Sequence, residues 1–426
     1  MGFEALDYRS LNDALAAFDV LEEEYGSISY KRKAFVPDLQ VMTAEYLINN
    51  VELAFAAWRD KPWATEVSFD TFCQHILPYR GSNEPLDDWR EGVMDHFKDL
   101  PSGLEDPTNT TAAAKKIEKQ AHAWVGFWDL HYLHPTDQSY SEMMEAGKGR
   151  CEDITNMISY GLRANAVAVG SDYTPAWAHR DNNHAWTTVL GRDGRGATRQ
   201  GNIAAKIFRK TFAIQYDAWM HQAGDGEPVA RWLARNHFID VTDQYMDVFD
   251  VPIKLGSAPP EGHKLAYLCV FNGGEWIAIA AGVSDDDKVT FEGMGPGIVY
   301  LPAYYDGKDL LPAAPPFTLE PDQHNTLDGI AHPGEDTVTI AEITTTKPVA
   351  DDPDKQQAIP ELFVKENETY EFFYWDHAWQ SLGKRTATTD RIAFENLPGH
   401  RLYWLVRDDS RKLERPFTLE PRLRYW

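Results

Sequence analysis

One cysteine and one histidine are placed where a thiol could act as a nucleophile. Cys151 follows the segment GKGR and begins a run whose apolar residues recur at helical spacing. A thiol at a helix N-terminus lies beside unpaired backbone N–H groups and the positive end of the helix dipole, and both favour the thiolate. His184 opens the strand-like segment HAWTTVL. A strand packed on that helix could place the imidazole within hydrogen-bonding distance of the sulfur, as a Cys–His pair requires.

Each of these two residues alone is also common in ordinary protein structure. A single cysteine in a helix is more often a small buried apolar side chain, and a histidine before a tryptophan usually packs or faces solvent. The joint arrangement favours a catalytic interpretation, with Cys151 at a helix start and His184 at a strand start. The N–H groups at that helix start could also donate to the oxyanion of a tetrahedral intermediate.

Three segments of this region resemble the core motifs of the transglutaminase-like superfamily. They are GRCED (149–153), LRANA (162–166) and HAWTTV (184–189). That superfamily has a papain-like Cys–His–Asp triad in this chain order, so the resemblance implies that Cys151 is the nucleophile and His184 the general base.

Four flanking segments resemble a branch common in Bacteroidota, whose members are exported and have a helical N-terminal region and β-sandwich modules after the core. These segments are ILPYRGSNEPLDDWR (76–90), DYTPAW (172–177), KIFRKTF (206–212) and DVTDQYMDVFDV (240–251).

Two residues are candidates for the third member of the triad. The family places an aspartate about 15–20 residues after the histidine, often in an Asp-x-Thr context, but no aspartate follows Asp193 in that window. Asn202 lies in the window and could orient an imidazole, as asparagine does in papain-like enzymes. Asp240, in the segment IDVT, matches the local motif better although it comes 56 residues after His184. We place Asp240 ahead of Asn202.

The chain as a whole is predicted to be α+β. Helical patterns extend through an N-terminal region (1–109) and into a thiol core (110–239), and strand-like segments follow in two β-sandwich modules (240–331 and 332–426). One predicted helix, VMTAEYLINNVELAFAAWRD, has an apolar face formed by Met42, Tyr46, Leu47, Val51, Ala54 and Trp58.

The two C-terminal modules are predicted from an internal repeat. The aligned segments are YLCVFNGGEW (267–276) with YEFFYWDHAW (370–379), KVTFEGMGPGIVYL (288–301) with RIAFENLPGHRLYW (391–404), and two copies of PFTLEP (316–321 and 416–421). The alignment places Trp276 over Trp379, Phe291 over Phe394 and Tyr300 over Tyr403. Two strand-rich copies in tandem indicate two immunoglobulin-like sandwiches.

Composition narrows the classes of partner. The sequence has 41 Lys and Arg against 66 Asp and Glu, a net charge of −25, which disfavours nucleic acid and anionic lipid as partners.

No apolar run is long enough to span a membrane, and the N-terminus lacks the pattern of a signal peptide. Three cysteines make neither a disulfide framework nor a zinc site, and without HExxH or CxxC we expect no metal or cofactor. The resemblance implies a periplasmic or cell-surface location.

The expected activity is that of a cysteine enzyme that acts on amide or peptide bonds through an acyl-enzyme. The resemblance favours hydrolysis over cross-linking, with peptides, peptidoglycan stems or glycoproteins as substrates. The alternatives are a structural protein and a non-catalytic peptide- or glycan-binding protein, in which four tryptophans of the C-terminal modules stack on sugars. Those tryptophans are Trp276, Trp375, Trp379 and Trp404.

Other side chains have both a functional and a structural interpretation. Tyr79, Arg80 and Glu84 could line a substrate groove, but an Arg80–Glu84 ion pair that fixes the loop is favoured. Trp177 and Trp186 could flank the cleft, although core packing is favoured for each.

Overall fold

Helices form the N-terminal part of the chain in the computed structural model. The residues that the structure describes are 11–26, 36–198, 204–320, 323–326, 341–343, 363–395, 397–408, 414–419 and 423–426. The α-helices are α1 (Leu11–Tyr25), α2 (Ala44–Asp60), α3 (Phe69–His75), α4 (Trp89–His96), α5 (Thr110–Trp124), α6 (Tyr140–Ala146), α7 (Cys151–Ala164) and α8 (Trp219–Gln222). The helices predicted from periodicity are therefore present, and α7 begins at Cys151 as expected.

Strands dominate the rest of the chain. Those before residue 245 are β1 (Gly126–Phe127), β2 (Lys148–Gly149), β3 (Val169–Thr174), β4 (His184–Val189), β5 (Phe208–Lys210) and β6 (Phe238–Asp240). The next are β7 (Phe249–Lys254), β8 (Leu265–Asn272), β9 (Glu275–Val283), β10 (Lys288–Met294), β11 (Ile298–Tyr305), β12 (Leu310–Pro312), β13 (Phe317–Glu320) and β14 (Gln323–Thr326). The last are β15 (Ala341–Ile343), β16 (Thr369–Asp376), β17 (Ala378–Thr386), β18 (Ile392–Phe394), β19 (Tyr403–Arg407), β20 (Phe417–Thr418) and β21 (Arg424–Tyr425).

The chain divides into two units. The first consists of Met1–Asp172 with Ala185–Thr198, and the second of Tyr173–His184 with Arg199–Trp426. Helices α1 to α7 belong to the first unit, whereas the antiparallel sheets of the C-terminal region belong to the second. The α+β class is confirmed at this level, with a β-sandwich-like C-terminal region.

Helix α7 is the central helix of the first unit. Twelve of its fourteen residues are buried, and α2, α4, α5 and α6 all pack against it. Gly161 permits the contact with α5, because a Cβ there would lie 2.6 Å from the Cγ2 of Ile117. Core packing therefore fixes the axis of the helix that carries Cys151.

A buried arginine joins the helices around α7. Arg90, in α4, donates to Asn50 Oδ1 at 2.8 Å and to the carbonyl oxygens of residues 76, 77, 78 and 163. Its guanidinium also lies 4.5 Å from the ring centroid of Trp89. Burial lowers the pKa of Arg90 to about 9, and the carbonyl oxygens stabilise the cation in place of water.

This network explains why the predicted face of α2 is wrong in part. Ala54 is buried as expected, but Leu47 is exposed, and Asn50 and Ala57 complete the buried side. Asn50 faces the interior because it accepts the hydrogen bond from Arg90 and donates to the carbonyl oxygen of Leu77. A polar residue, Asn50, therefore lies on the buried face of α2, where the sequence pattern predicts only apolar side chains.

The two aligned C-terminal segments have the same strand order. In the first, the sheet order is β9–β8–β11–β13, extended by β14, and in the second it is β17–β16–β19–β20, extended by β21. A two-stranded sheet accompanies each, β7 with β10 and β15 with β18. Tyr300 and Tyr403 occupy equivalent positions, and each hydroxyl donates to a carbonyl oxygen five residues earlier in the chain.

The four tryptophans proposed as sugar platforms contact other aromatic rings within the second unit. The Trp375 ring centroid lies 5.5 Å from that of Trp276 and 5.1 Å from that of Trp379, and Trp404 lies 5.4 Å from Trp379. Phe271 contacts three of the four rings. The rings therefore bury apolar surface between the two aligned segments.

In the part of the chain that the structure describes, no helix has the length and apolar character needed to cross a membrane.

Candidate functional site

A buried carboxylate fixes the position of Cys151. Asp153 is fully buried, and its Oδ2 accepts hydrogen bonds from the backbone N–H of Arg150 at 2.9 Å and from Gln138 Nε2 at 3.0 Å. Its Oδ1 accepts from the backbone N–H of Gln138 at 2.8 Å. An aspartate at the third helical position caps the helix in this way. The cap holds the segment before Cys151 against the start of α7.

Gly149 is required for this arrangement because it lies against the capping side chain. A Cβ at this position would lie 2.6 Å from the Cβ of Asp153 and 3.1 Å from Gln138 Nε2. Neither neighbour can move without loss of a buried hydrogen bond. The glycine before the cysteine therefore has a packing role that composition alone does not reveal.

Three groups surround the sulfur of Cys151, which is 9% exposed. Its Sγ donates to the carboxylate Oε2 of Glu152 at 3.0 Å. The hydroxyl oxygen of Tyr132 lies 3.8 Å away. The backbone of Ala185, the second residue of β4, acts on the sulfur by lowering the pKa of the thiol.

The sequence predicts a lowered pKa for Cys151, and this prediction is wrong. Burial, and after it the Glu152 carboxylate, raise the pKa of the thiol to about 11. The contacts with Tyr132 and Ala185 act in the opposite direction but are smaller. The thiol is therefore neutral at pH 7 in the resting protein, because desolvation and a nearby negative charge disfavour the thiolate.

His184 is the first residue of β4, as predicted. It precedes Ala185, whose backbone acts to lower the pKa of the Cys151 thiol. Its ring centroid lies 6.0 Å from that of Trp177 within the second unit. Trp177 and Trp186 are buried, in agreement with the predicted core packing of each.

Asp240, the predicted third member, ends β6 and has two polar partners. Its Oδ1 accepts from the Thr242 backbone N–H at 2.9 Å and from its hydroxyl at 2.6 Å, and its Oδ2 pairs with Lys206. Lys206 is buried and also donates to two backbone carbonyl oxygens. These contacts give the Asp-x-Thr pattern a structural role. The triad role of Asp240 stays a prediction, and Asn202 lies outside the described residues.

The loop at 79–84 is held by contacts with Asp38, Tyr160 and its own backbone, and the predicted Arg80–Glu84 ion pair is not among them. Arg80 pairs with Asp38, with Nη2 2.7 Å from Oδ1, and Tyr79 donates to the same carboxylate at 3.0 Å. Glu84 accepts from the backbone N–H groups of residues 81 and 82 and from the hydroxyl of Tyr160 at 2.5 Å. The predicted Arg80–Glu84 pair is therefore wrong, because each side chain has a closer partner elsewhere.

Sequence reasoning missed Tyr132, Glu152 and Asp153. The acidic pair directly after Cys151 is a visible signal, since acidic residues in the first turn of a helix commonly cap it. Nothing in the sequence marks Tyr132, which lies in a short 3₁₀ helix nineteen residues before the cysteine.

The other two cysteines differ from Cys151. All three lie in the described part of the chain, and none forms a disulfide. Cys269 is fully buried in β8 and Cys73 lies within α3.

Among the described residues, no group of three or more His, Cys, Asp or Glu side chains is arranged to hold a metal ion.

No protein-family model and no curated protein matches the chain.

The packing of Gly149 predicts a large effect of one added methyl group. Gly149→Ala should lower the free energy of unfolding of the first unit by about 2–4 kcal/mol, because it overpacks a fully buried polar cap. Chemical denaturation followed by tryptophan fluorescence measures this. Gly92→Ala is the matched control, since Gly92 lies exposed in α4 with no atom within 4 Å of its added Cβ. It should stabilise the protein by about 0.5–1 kcal/mol. Equal effects of the two changes would contradict the packing argument.

The raised pKa of Cys151 predicts its reactivity with pH. Alkylation requires the thiolate, so the rate of carbamidomethylation by iodoacetamide should still be rising at pH 10, where an ordinary thiol of pKa about 8.5 has levelled off. Mass spectrometry of peptides after timed quenching measures the rate at Cys151 separately from Cys73. A plateau for Cys151 below pH 8 would show that its pKa is lowered, contrary to the contacts described.

Proposed function

We propose that the chain is a transglutaminase-like cysteine enzyme that cleaves amide or peptide bonds, with Cys151 as nucleophile and His184 as general base. The observation that carries the proposal is the position of the Cys151 sulfur at the start of α7, where the backbone of Ala185, the residue next to His184, acts to lower the pKa of the thiol. A thiol that attacks and a histidine that takes its proton are the roles that a papain-like Cys–His pair requires.

The reaction would proceed through a thioester. His184 takes the thiol proton as Sγ attacks the substrate carbonyl carbon, and the carbonyl oxygen becomes an oxyanion. The C–N bond then breaks, and the leaving amine takes the proton from the imidazolium. Water, deprotonated by His184, attacks the thioester, so that the carboxylic acid is released and the thiol of Cys151 is restored.

Two features near the sulfur suit an oxyanion. The first N–H to donate within α7 is that of Ile154, which bonds to the carbonyl oxygen of Arg150 at 3.1 Å. The preceding N–H groups, from Cys151 onward, therefore lie before the first helical hydrogen bond. Burial raises the pKa of the Tyr132 hydroxyl well above its ordinary value, so the hydroxyl stays protonated and can donate to an oxygen beside Sγ.

The substrate classes follow from the resemblance and from the chemistry of a thiol nucleophile. We propose peptides, peptidoglycan stems or glycoproteins, hydrolysed rather than cross-linked, in the periplasm or at the cell surface. Asp240 stays our choice for the residue that orients His184, although Lys206 and Thr242 also bind its carboxylate.

A second candidate is a non-catalytic binding protein with the same core. The neutral thiol favours it, because Glu152 holds the proton on Sγ in the resting structure. Binding of glycans through the C-terminal tryptophans has less support, since their rings contact one another.

A mixture of random-sequence peptides distinguishes the two candidates. Incubation with the wild-type protein should give new amino termini or deamidated residues, read by mass spectrometry, and Cys151→Ala should lower their yield at least 10³-fold, on the order seen when a catalytic nucleophile is removed. The melting temperature should change little, since the substitution removes one sulfur atom. Cys73→Ala is the control and should keep full activity. Products of equal yield with Cys151→Ala would reject Cys151 as the nucleophile, and no products with either protein would support the binding protein instead.

A further inference from the structure

The charged group in contact with the Cys151 sulfur is the carboxylate of Glu152. Its Oε2 accepts the S–H at 3.0 Å, and the side chain is 17% exposed. The same oxygen lies 3.8 Å from Arg150 Nε, beyond hydrogen-bonding distance. The guanidinium of Arg150 has a closer partner in Asp137, which is buried. Arg150 therefore neutralises Asp137 first and Glu152 only in part.

The second oxygen of Glu152, Oε1, has no hydrogen-bond partner among the residues that the structure describes. A carboxylate that is mostly buried binds a cation more strongly than an exposed one, because less water screens the charge. Glu152 thus presents a free acceptor oxygen next to the atom that would attack a substrate.

Charged groups of both signs lie on the segments around the start of α7. The carboxylates are those of Asp129, Asp137, Glu142, Glu152 and Asp153, the cations are Lys148 and Arg150, and the histidines are His131 and His134. Lys148 lies over the ring of Trp128, with its ammonium 4.6 Å from the centroid. Asp153 is fully occupied by three N–H donors. Glu152, by contrast, is in contact with Sγ through one oxygen and has the other available for a ligand.

We propose that Glu152 makes this site selective for acyl donors that carry a cation, namely peptides with a lysine or arginine side chain next to the scissile carbonyl. The inference rests on the proposed function, since it names the substrate class of the same site. An ammonium or guanidinium bound at Oε1 would draw the carboxylate from Sγ and cancel its charge. The substrate would thereby remove the hydrogen bond that Sγ donates to Glu152 and leave the burial of the thiol unchanged.

The selectivity can be measured with two thiol reagents of opposite charge. These are the methanethiosulfonates that carry a trimethylammonium group or a sulfonate group, and both react with the same thiolate. The ratio of their rates is therefore independent of the thiolate fraction, which a change at Glu152 would alter for both. Mass spectrometry gives the rates at Cys151 in the full-length protein, and the ratio for N-acetylcysteine amide serves as the reference.

For the wild-type protein, the rate with the cationic reagent divided by the rate with the anionic reagent should be more than about tenfold higher than the same ratio for N-acetylcysteine amide. This is the effect expected of one carboxylate about 5 Å from the incoming charge. Glu152→Gln should bring the ratio to within about threefold of the reference, and Glu152→Asp should keep most of the selectivity. Glu145→Gln removes the same charge from an exposed position on α6 and should leave the ratio unchanged.

Two results would overturn the inference. One is a wild-type ratio equal to the reference, which needs no variant and so does not depend on how a variant folds. The other is a Glu152→Gln ratio equal to that of the wild type. The reagents detect the carboxylate whether or not Cys151 is catalytic, so a positive ratio without Cys151-dependent peptide products would reject the proposed function alone. Products without enrichment in lysine or arginine at the cleavage sites would reject the inference alone.

Discussion

The burial of the Asp153 carboxylate is the constraint on which the rest of the site depends. A buried carboxylate without partners costs several kcal/mol, and here three N–H donors stabilise it. Two of the donors belong to Gln138 and the third is the backbone N–H of Arg150, so the cap ties together two segments that meet at the start of α7. The cap thus fixes the position of Cys151 before any catalytic contact is considered.

The protonation state of the resting Cys151 thiol is determined by competition between the helix N-terminus, which favours the thiolate, and burial together with Glu152, which disfavour it. A helix N-terminus contributes about 0.3–1 kcal/mol in favour of an anion. The rise of the Cys151 pKa from 9.0 to about 11 corresponds to about 3 kcal/mol against the thiolate. Burial and Glu152 therefore outweigh the helix, and any event that weakens one of them increases the reactivity of the thiol. A cation bound to Glu152 would cancel the charge of its carboxylate and leave the buried residues of α7 in place.

Local sequence patterns were sufficient to predict the elements that carry the site. The start of α7 at Cys151, the start of β4 at His184 and the repeated strands of the C-terminal modules follow from apolar spacing and an internal alignment. These features depend on residues that are close in sequence, or on the repetition of a pattern, and both are visible without a structure.

Contacts between distant residues account for what the sequence did not reveal. Asn50 is buried because Arg90, forty residues later, needs an acceptor, and Arg80 pairs with Asp38 rather than with nearby Glu84. The pKa of Cys151 likewise depends on its burial by other elements and on the direction of the Glu152 side chain. No spacing rule contains this information, because tertiary packing decides which polar group meets which partner.

The most direct test of the central claim is to trap an acyl group on the protein. The protein is mixed with p-nitrophenyl acetate at pH 8, quenched in acid at intervals, and the acetyl groups are located by mass spectrometry of its peptides. We expect an acetyl group on Cys151 that forms and is then hydrolysed in the wild-type protein, and that forms at least tenfold more slowly in His184→Ala. Acetylation of Cys73 or surface lysines while Cys151 stays unmodified, or equal rates with and without His184, would contradict the assignment of Cys151 and His184 as a nucleophile and its base.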